Sequence, residues 1–159
     1  TLSLHDALPI LIYMDKKQFH ERIQYFVKQR VRDEGTINSM MDMELVTADF
    51  HTKSVVLAFP VKDWQMNPAE NLHGGIIATA LDITMGCISY VSGNAVFTPT
   101  IQMAVNYVGG VSSGDTLLVE GICDHAGSRM SQTRAIARSK KSGKVVATAN
   151  GSYIMNTKQ

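Results

Sequence analysis

Asp82 is the single charged side chain between Glu70 and Asp115, and it stands inside an apolar, small-residue stretch that opens at His73-Gly74-Gly75. An unpaired carboxylate is costly to bury in such surroundings, so its presence points to chemistry before packing. The Gly-Gly pair sets up the complementary feature. At a helix start it leaves backbone N–H groups at the positive end of the macrodipole with no side chain in the way, an arrangement that can hold a developing oxyanion. Glycines that let helix and sheet pack closely explain the pair equally well. At ~1.5 Å rise per residue, Gly74 and Asp82 of one helix lie ~12 Å apart, too far to act on one carbonyl. Both can serve one substrate where two such helices meet antiparallel. The spacing therefore predicts a symmetric dimer with two sites across its interface, each taking Gly74 from one subunit and Asp82 from the other.

The elements that must position these residues follow from periodicity. From Asp15, a helix N-cap, to about Glu34, the residues Phe19, Ile23, Phe26, Val27 and Val31 recur at helical spacing, which reads as an amphipathic N-terminal helix ended near Gly35. Segments 41–48 and 51–60 alternate around a polar Asp49 corner and read as a hairpin, followed by a loop over 61–72. Residues 74–91 form the longest apolar stretch and read as a buried central helix. Four β-like runs come after it at 98–108, 116–123, 128–139 and 145–155, separated by short Gly-rich or Lys-Ser-Gly-Lys turns typical of antiparallel neighbours. The expected architecture is α+β, one long central helix wrapped by an antiparallel sheet.

Composition bounds the function. A chain of 159 residues with 45% hydrophobic and 18% charged residues suits one well-buried domain. A net charge of +1 argues against a nucleic-acid partner held by bulk electrostatics. The charge is unevenly spread, however. No acidic residue follows Asp124, and the tail beyond it holds seven cations, Arg129, Arg134, Arg138, Lys140, Lys141, Lys144 and Lys158. A solvated strand face is the bland explanation; an anionic ligand lying across this edge is the sharper one. Cys87 and Cys123 sit in apolar segments without metal or redox spacing, which fits a reduced, cytoplasmic home and no metal site. No apolar run approaches the roughly 20 residues of a membrane helix, so no membrane partner is expected. Residues 1–13 share no periodicity with the chain beyond them and look like a non-native or disordered leader, with Met14 as a plausible start of a single domain over 14–159.

Dinucleotide, P-loop, α/β-hydrolase and zincin motifs are missing from the sequence. It does carry Asn67, then His73-Gly74-Gly75, then Asp82, followed by Thr100 at the start of a strand that runs to Tyr107. This pattern resembles the phenylacetate-degradation (PaaI-like) type of acyl-CoA thioesterase in the hotdog-fold superfamily, over about residues 40–156. The resemblance implies a hotdog fold with a curved sheet around the helix, paired as a homodimer and often again as a homotetramer. It implies an enzyme that hydrolyses acyl-CoA with no cofactor beyond the coenzyme A of the substrate. Gly74 N–H would polarise the thioester carbonyl, and Asp82 of the partner subunit would act as general base or nucleophile. Asn67 would orient the water or the carboxylate, His73 would support the loop, and Thr100 would place a hydroxyl near Asp82. A base plus a preorganised donor is the minimum set for acyl transfer.

Where many relatives have glycine, this chain has Glu70, either a surface charge or a group that touches the substrate. On the substrate side, Gly75 would contact the substrate, Val108-Gly109-Gly110 would let the pantetheine arm pass close to backbone or simply end the strand in a turn, and Arg129, with Arg138, Lys140 or Lys141, would pair with phosphates. Met66, Ile83, Met85, Met103 and Tyr107 are candidates to line an acyl tunnel. Two other readings stand beside hydrolysis: a non-catalytic acyl-CoA-binding protein, which would leave Asp82 unexplained, and a hotdog dehydratase or hydratase, whose His and acid pair His73 does not match.

Overall fold

A computed structural model describes residues 14–157, so the leader over 1–13 and the cation Lys158 lie outside the described residues. Helix α1, Lys16–Arg32, starts where the sequence caps it. Asp15 Oδ1 accepts the Gln18 N–H at 2.8 Å, and the Gln18 side chain returns the bond to the Asp15 N–H. Its buried stripe of Phe19, Ile23 and Phe26 faces the core. A one-turn helix, α2 (Ile37–Met40), comes next under a Thr36 cap. Four residues are too few to show a period, so α2 has no signature in the sequence.

Strands β1 (Glu44–Asp49) and β2 (Ser54–Pro60) form the expected hairpin, its corner held by Asp49 Oδ1, which accepts the His51 and Thr52 N–H groups. A short 3-10 turn at Asp63–Gln65 leads through the loop to helix α3, Gly74–Ser92. Then come β3 (Thr100–Tyr107), β4 (Thr116–Ala126), β5 (Met130–Ser139) and β6 (Val145–Ile154). All neighbours are antiparallel in the order β1-β2-β4-β5-β6-β3. The strand directly after α3 thus lies at the far edge, beside β6.

Helix α3 runs across the inner face of this sheet. By length and hydropathy it does reach the range of a membrane span, 19 residues at 1.4, contrary to the expectation that no run approaches it; 56% of that stretch is buried within the protein, which accounts for its apolar character. The sheet makes room for the helix with small residues. Ala135 and Ala137 of β5 and Ala147, Ala149 and Gly151 of β6 all point inward and are buried. At Gly121 of β4 the approach is closest, since a methyl group there would lie 3.0 Å from the Thr84 methyl and 3.2 Å from the Thr84 carbonyl oxygen. Larger inward residues, Val55, Leu57, Phe59, Leu117 and Val119, fill the β2–β4 half. The result is the α+β hotdog arrangement that the resemblance implies, with an additional N-terminal helix packed on α3 through Phe26 and Tyr90.

Candidate active site

The first candidate end is the start of α3. His73 is its N-cap, in an extended conformation (φ −59°, ψ 135°), and its ring Nδ1 accepts the Gly75 N–H at 2.9 Å. Of the two glycine N–H groups, Gly75's is therefore occupied, and Gly74's is left without a protein partner among the described residues. An accepting Nδ1 also puts the proton of the neutral imidazole on Nε2 of this exposed residue. From the other side, Tyr107 donates its hydroxyl to the Gly74 carbonyl at 3.0 Å. Val108 and Gly109 come immediately after it. Their N–H groups go to the Val146 carbonyl, and a methyl on Gly109 would sit 2.8 Å from the Val145 carbonyl oxygen, so backbone packing alone demands glycine there.

The loop before α3 is built around two asparagines. Asn67 Oδ1 accepts the Ala69 and Asn71 N–H groups at 2.9 and 3.1 Å, which commits its oxygen to the loop and leaves its amide N–H groups without a protein partner among the described residues. Asn71 lies against Gly110, where any Cβ would overlap its side-chain oxygen. Glu70 is exposed and adopts a left-handed conformation, φ 57°.

The second end is Asp82, half-buried two turns along α3. Its Oδ1 accepts two hydroxyls, Thr100 Oγ1 at 2.8 Å and Tyr153 OH at 2.9 Å. Thr100 and Tyr153 face each other across the β3–β6 register, so one cross-strand pair meets one carboxylate oxygen. Oδ2 takes no protein hydrogen bond among the described residues. Tyr153 did not emerge from the sequence. The signal was there only as a break in a row of small inward residues, Ala147, Ala149 and Gly151, that ends in a tyrosine. Burial pushes the Tyr153 hydroxyl far above its ordinary value, and the negative charge of Asp82 adds to the rise. It is a permanent donor.

Two adjoining cavities of about 270 and 420 Å³ open at Asp82 and share Asn38, Ile83 and Thr100. Phe26, Arg30, Phe97 and Pro99 line the first; Ile37, Ala78, Thr79 and Met103 line the second. Of the tunnel candidates, Ile83 and Met103 are here, Met85 is fully buried in the core, and Tyr107 stands at the Gly74 end. Helices α1 and α2 supply part of the wall, a contribution that only the tertiary structure reveals.

The cations divide between the two ends. Arg138 is exposed on β5, in register with Val145, on the side of Val108-Gly109 and Gly74. Arg129 lies in the β4–β5 turn, its carbonyl accepting the Met155 N–H near Tyr153. Nine residues of strand at ~3.3 Å each put ~30 Å between them, so one chain cannot bring both to one phosphate. Arg134 is paired with Asp124 at 2.9 Å on the outer face. Cys87 and Cys123 are free thiols that burial pushes upward, which makes neither a nucleophile at neutral pH. Among the described residues, no group of three or more His, Cys, Asp or Glu side chains could hold a metal ion.

Residues 69–146, from the loop of Glu70 to the start of β6, match the thioesterase superfamily. No curated protein matches the sequence. Among solved structures, smu.793 of Streptococcus mutans UA159, bound to acetyl CoA, is 26% identical, with a TM-score of 0.65 over 74% of this chain and 90% of that one. A hypothetical thioesterase protein of Streptococcus pneumoniae TIGR4, with coenzyme A, is 19% identical at a TM-score of 0.67, covering 87% and 98% of the two chains. The PaaI protein of the E. coli phenylacetic acid degradation operon is 15% identical at 0.69, covering 84% and 95%. The segment that matches the thioesterase superfamily spans both Gly74 and Asp82, and the fold that carries it is a hotdog fold similar to that of the PaaI protein.

Proposed function

We propose that the protein hydrolyses an acyl-CoA thioester to free acid and coenzyme A, as a homodimer that pairs again into a tetramer. The observation that carries this reading is the half-buried Asp82 carboxylate, pinned through one oxygen and open at the other, beside cavities in a thioesterase-superfamily segment. The acetyl CoA and coenzyme A bound to the two streptococcal proteins support the substrate class.

In the proposed reaction Gly74 N–H receives the thioester carbonyl oxygen of a substrate whose carbonyl carbon lies near Asp82 of the partner subunit. As base, Asp82 takes a proton from water while the water oxygen bonds to that carbon; as nucleophile, its free oxygen bonds to the carbon first and water then cleaves the anhydride. Either way the carbon–sulfur bond breaks, the thiolate leaves, and it regains a proton as coenzyme A. Asn67, through its uncommitted amide N–H groups, orients water or carboxylate, and His73 Nε2–H and Gly75 border the carbonyl. Val108-Gly109 passes the pantetheine arm, and Arg138 and Arg129 each meet a phosphate at their own end. The reaction draws on no cofactor beyond the substrate's own coenzyme A and runs in the cytoplasm.

Free-thiol release from short, medium and aromatic acyl-CoAs, for the parent and Asp82→Asn, tests the reading. Loss of a base positioned for proton transfer lowers the rate by about 10²–10⁴-fold with fold and dimer intact. An acyl-CoA that binds the parent but is never turned over would instead establish a binding protein.

A further inference from the structure

We infer that Tyr153 is a positioning residue for Asp82: together with Thr100 it locks the carboxylate through Oδ1 and leaves Oδ2 as the working oxygen. Both hydroxyls end on the same atom, at 2.8 and 2.9 Å. A carboxylate oxygen has two acceptor sites, so two donors saturate Oδ1, and rotation about the last side-chain bond of Asp82 would break both bonds at once. That torsion is otherwise broad and two-fold, which makes the lock the feature that distinguishes the two oxygens.

Several elements serve this hold. Thr100 and Tyr153 are direct cross-strand partners, the first residue of edge strand β3 and the end of the inward row of β6. The phenol reaches Asp82 through a slot formed by two glycines. A methyl on Gly151 would press on the ring at 3.1 Å, while one on Gly86, a turn beyond Asp82 on α3, would contact it at 3.6 Å. With 1% of its surface exposed, the ring has no freedom to swing away. The hydroxyl also lies 3.3 Å from the Asp82 backbone carbonyl, a weaker second acceptor on the same residue. Because the phenol stays protonated throughout the neutral range, the donation does not switch off with pH.

The inference rests on the thioesterase reading only for its effect on rate. The test therefore combines steady-state thioester hydrolysis with difference infrared spectroscopy of protein labelled with ¹³C-carboxyl aspartate, the Asp82 band being identified by its loss in Asp82→Asn. Tyr153→Phe keeps the ring and removes one oxygen; Thr100→Val keeps the shape and removes the other donor. Each is expected to move the Asp82 carboxylate band, and each to lower kcat about tenfold while KM stays within about twofold, the pattern of lost orientation without lost binding. An unmoved band in both variants would overturn the lock. So would a moved band with parental kcat on a substrate that the parent hydrolyses. If the parent hydrolyses no thioester, a moved band upholds the lock on Asp82 and the failure falls on the proposed reaction. Should Tyr153→Phe fail to fold, Thr100→Val reads the same oxygen from the exposed side.

Discussion

Tyr107 donates its hydroxyl to the carbonyl of Gly74 at 3.0 Å, tying the last residue of β3 to the first residue of α3. The same strand begins at Thr100, which holds Asp82 two turns further along that helix. One edge strand therefore fixes both chemical ends of α3. The helical rise keeps those ends ~12 Å apart, so the proposed dimer would use them as two half-sites, one from each subunit.

The half-sites lead to a complementation prediction. Gly74 is the first residue of α3 and His73 before it is at φ −59°, ψ 135°, the region a residue before proline prefers. Gly74→Pro therefore deletes the N–H and should keep the fold, costing about 10²–10³ in thioester turnover. Mixing unfolded-and-refolded Gly74→Pro with Asp82→Asn places one intact site in each mixed dimer. Half the dimers are mixed and each has one good site of two, so about a quarter of the parental rate should return. No recovery from folded, mixed dimers would rule out a shared site.

Glu70 gives a stability prediction. Its left-handed backbone, φ 57°, costs a residue with a Cβ about 1–2 kcal/mol, of which glycine's greater freedom in the unfolded chain returns part. Glu70→Gly should stabilise the protein by about 0.5–1 kcal/mol in chemical denaturation, and Glu70→Ala should not. An altered order of preference among acyl-CoAs in both variants would assign the carboxylate a part in substrate contact.

Asp115 predicts a dependence on acid. This buried carboxylate joins the β4 start to the β5–β6 turn, accepting Ser139 Oγ and Thr116 N–H at 2.6 Å each and Lys141 N–H at 3.2 Å. Burial pushes its carboxyl upward, but these donors outweigh burial and hold it below its ordinary value of 3.8. A lowered folded-state value stabilises fully above the ordinary one, and that contribution disappears as pH falls through the lower value. Asp115→Asn should cost about 1–3 kcal/mol at neutral pH, with the gap from the parent closing below about pH 4. A constant gap across that range would contradict the assignment.

Much of this protein was legible locally. The apolar run of α3, the alternation of β2, β4, β5 and β6, the Asp15 cap and the turn residues act over one to four positions, so the chain states them directly. Asp82 stood out because a lone carboxylate in an apolar helix is conspicuous in one dimension. Its separation from Gly74 came from helical rise, and the dimer is the expectation built on that separation.

Tertiary structure decided which strands become neighbours. Tyr153 meets Asp82 across 71 positions, because β3 returns to the sheet beside β6 and sets Thr100 opposite Tyr153. The Asn71–Gly110 contact, the Tyr107–Gly74 bond and the walls that α1 and α2 lend to the Asp82 cavities arise the same way. Even the fate of the Gly75 N–H turned on a side-chain rotation, His73 Nδ1 folding back to cap it. Sequence determines a residue's period and its local partners; only closed packing of the sheet around α3 chooses partners that are distant in the chain.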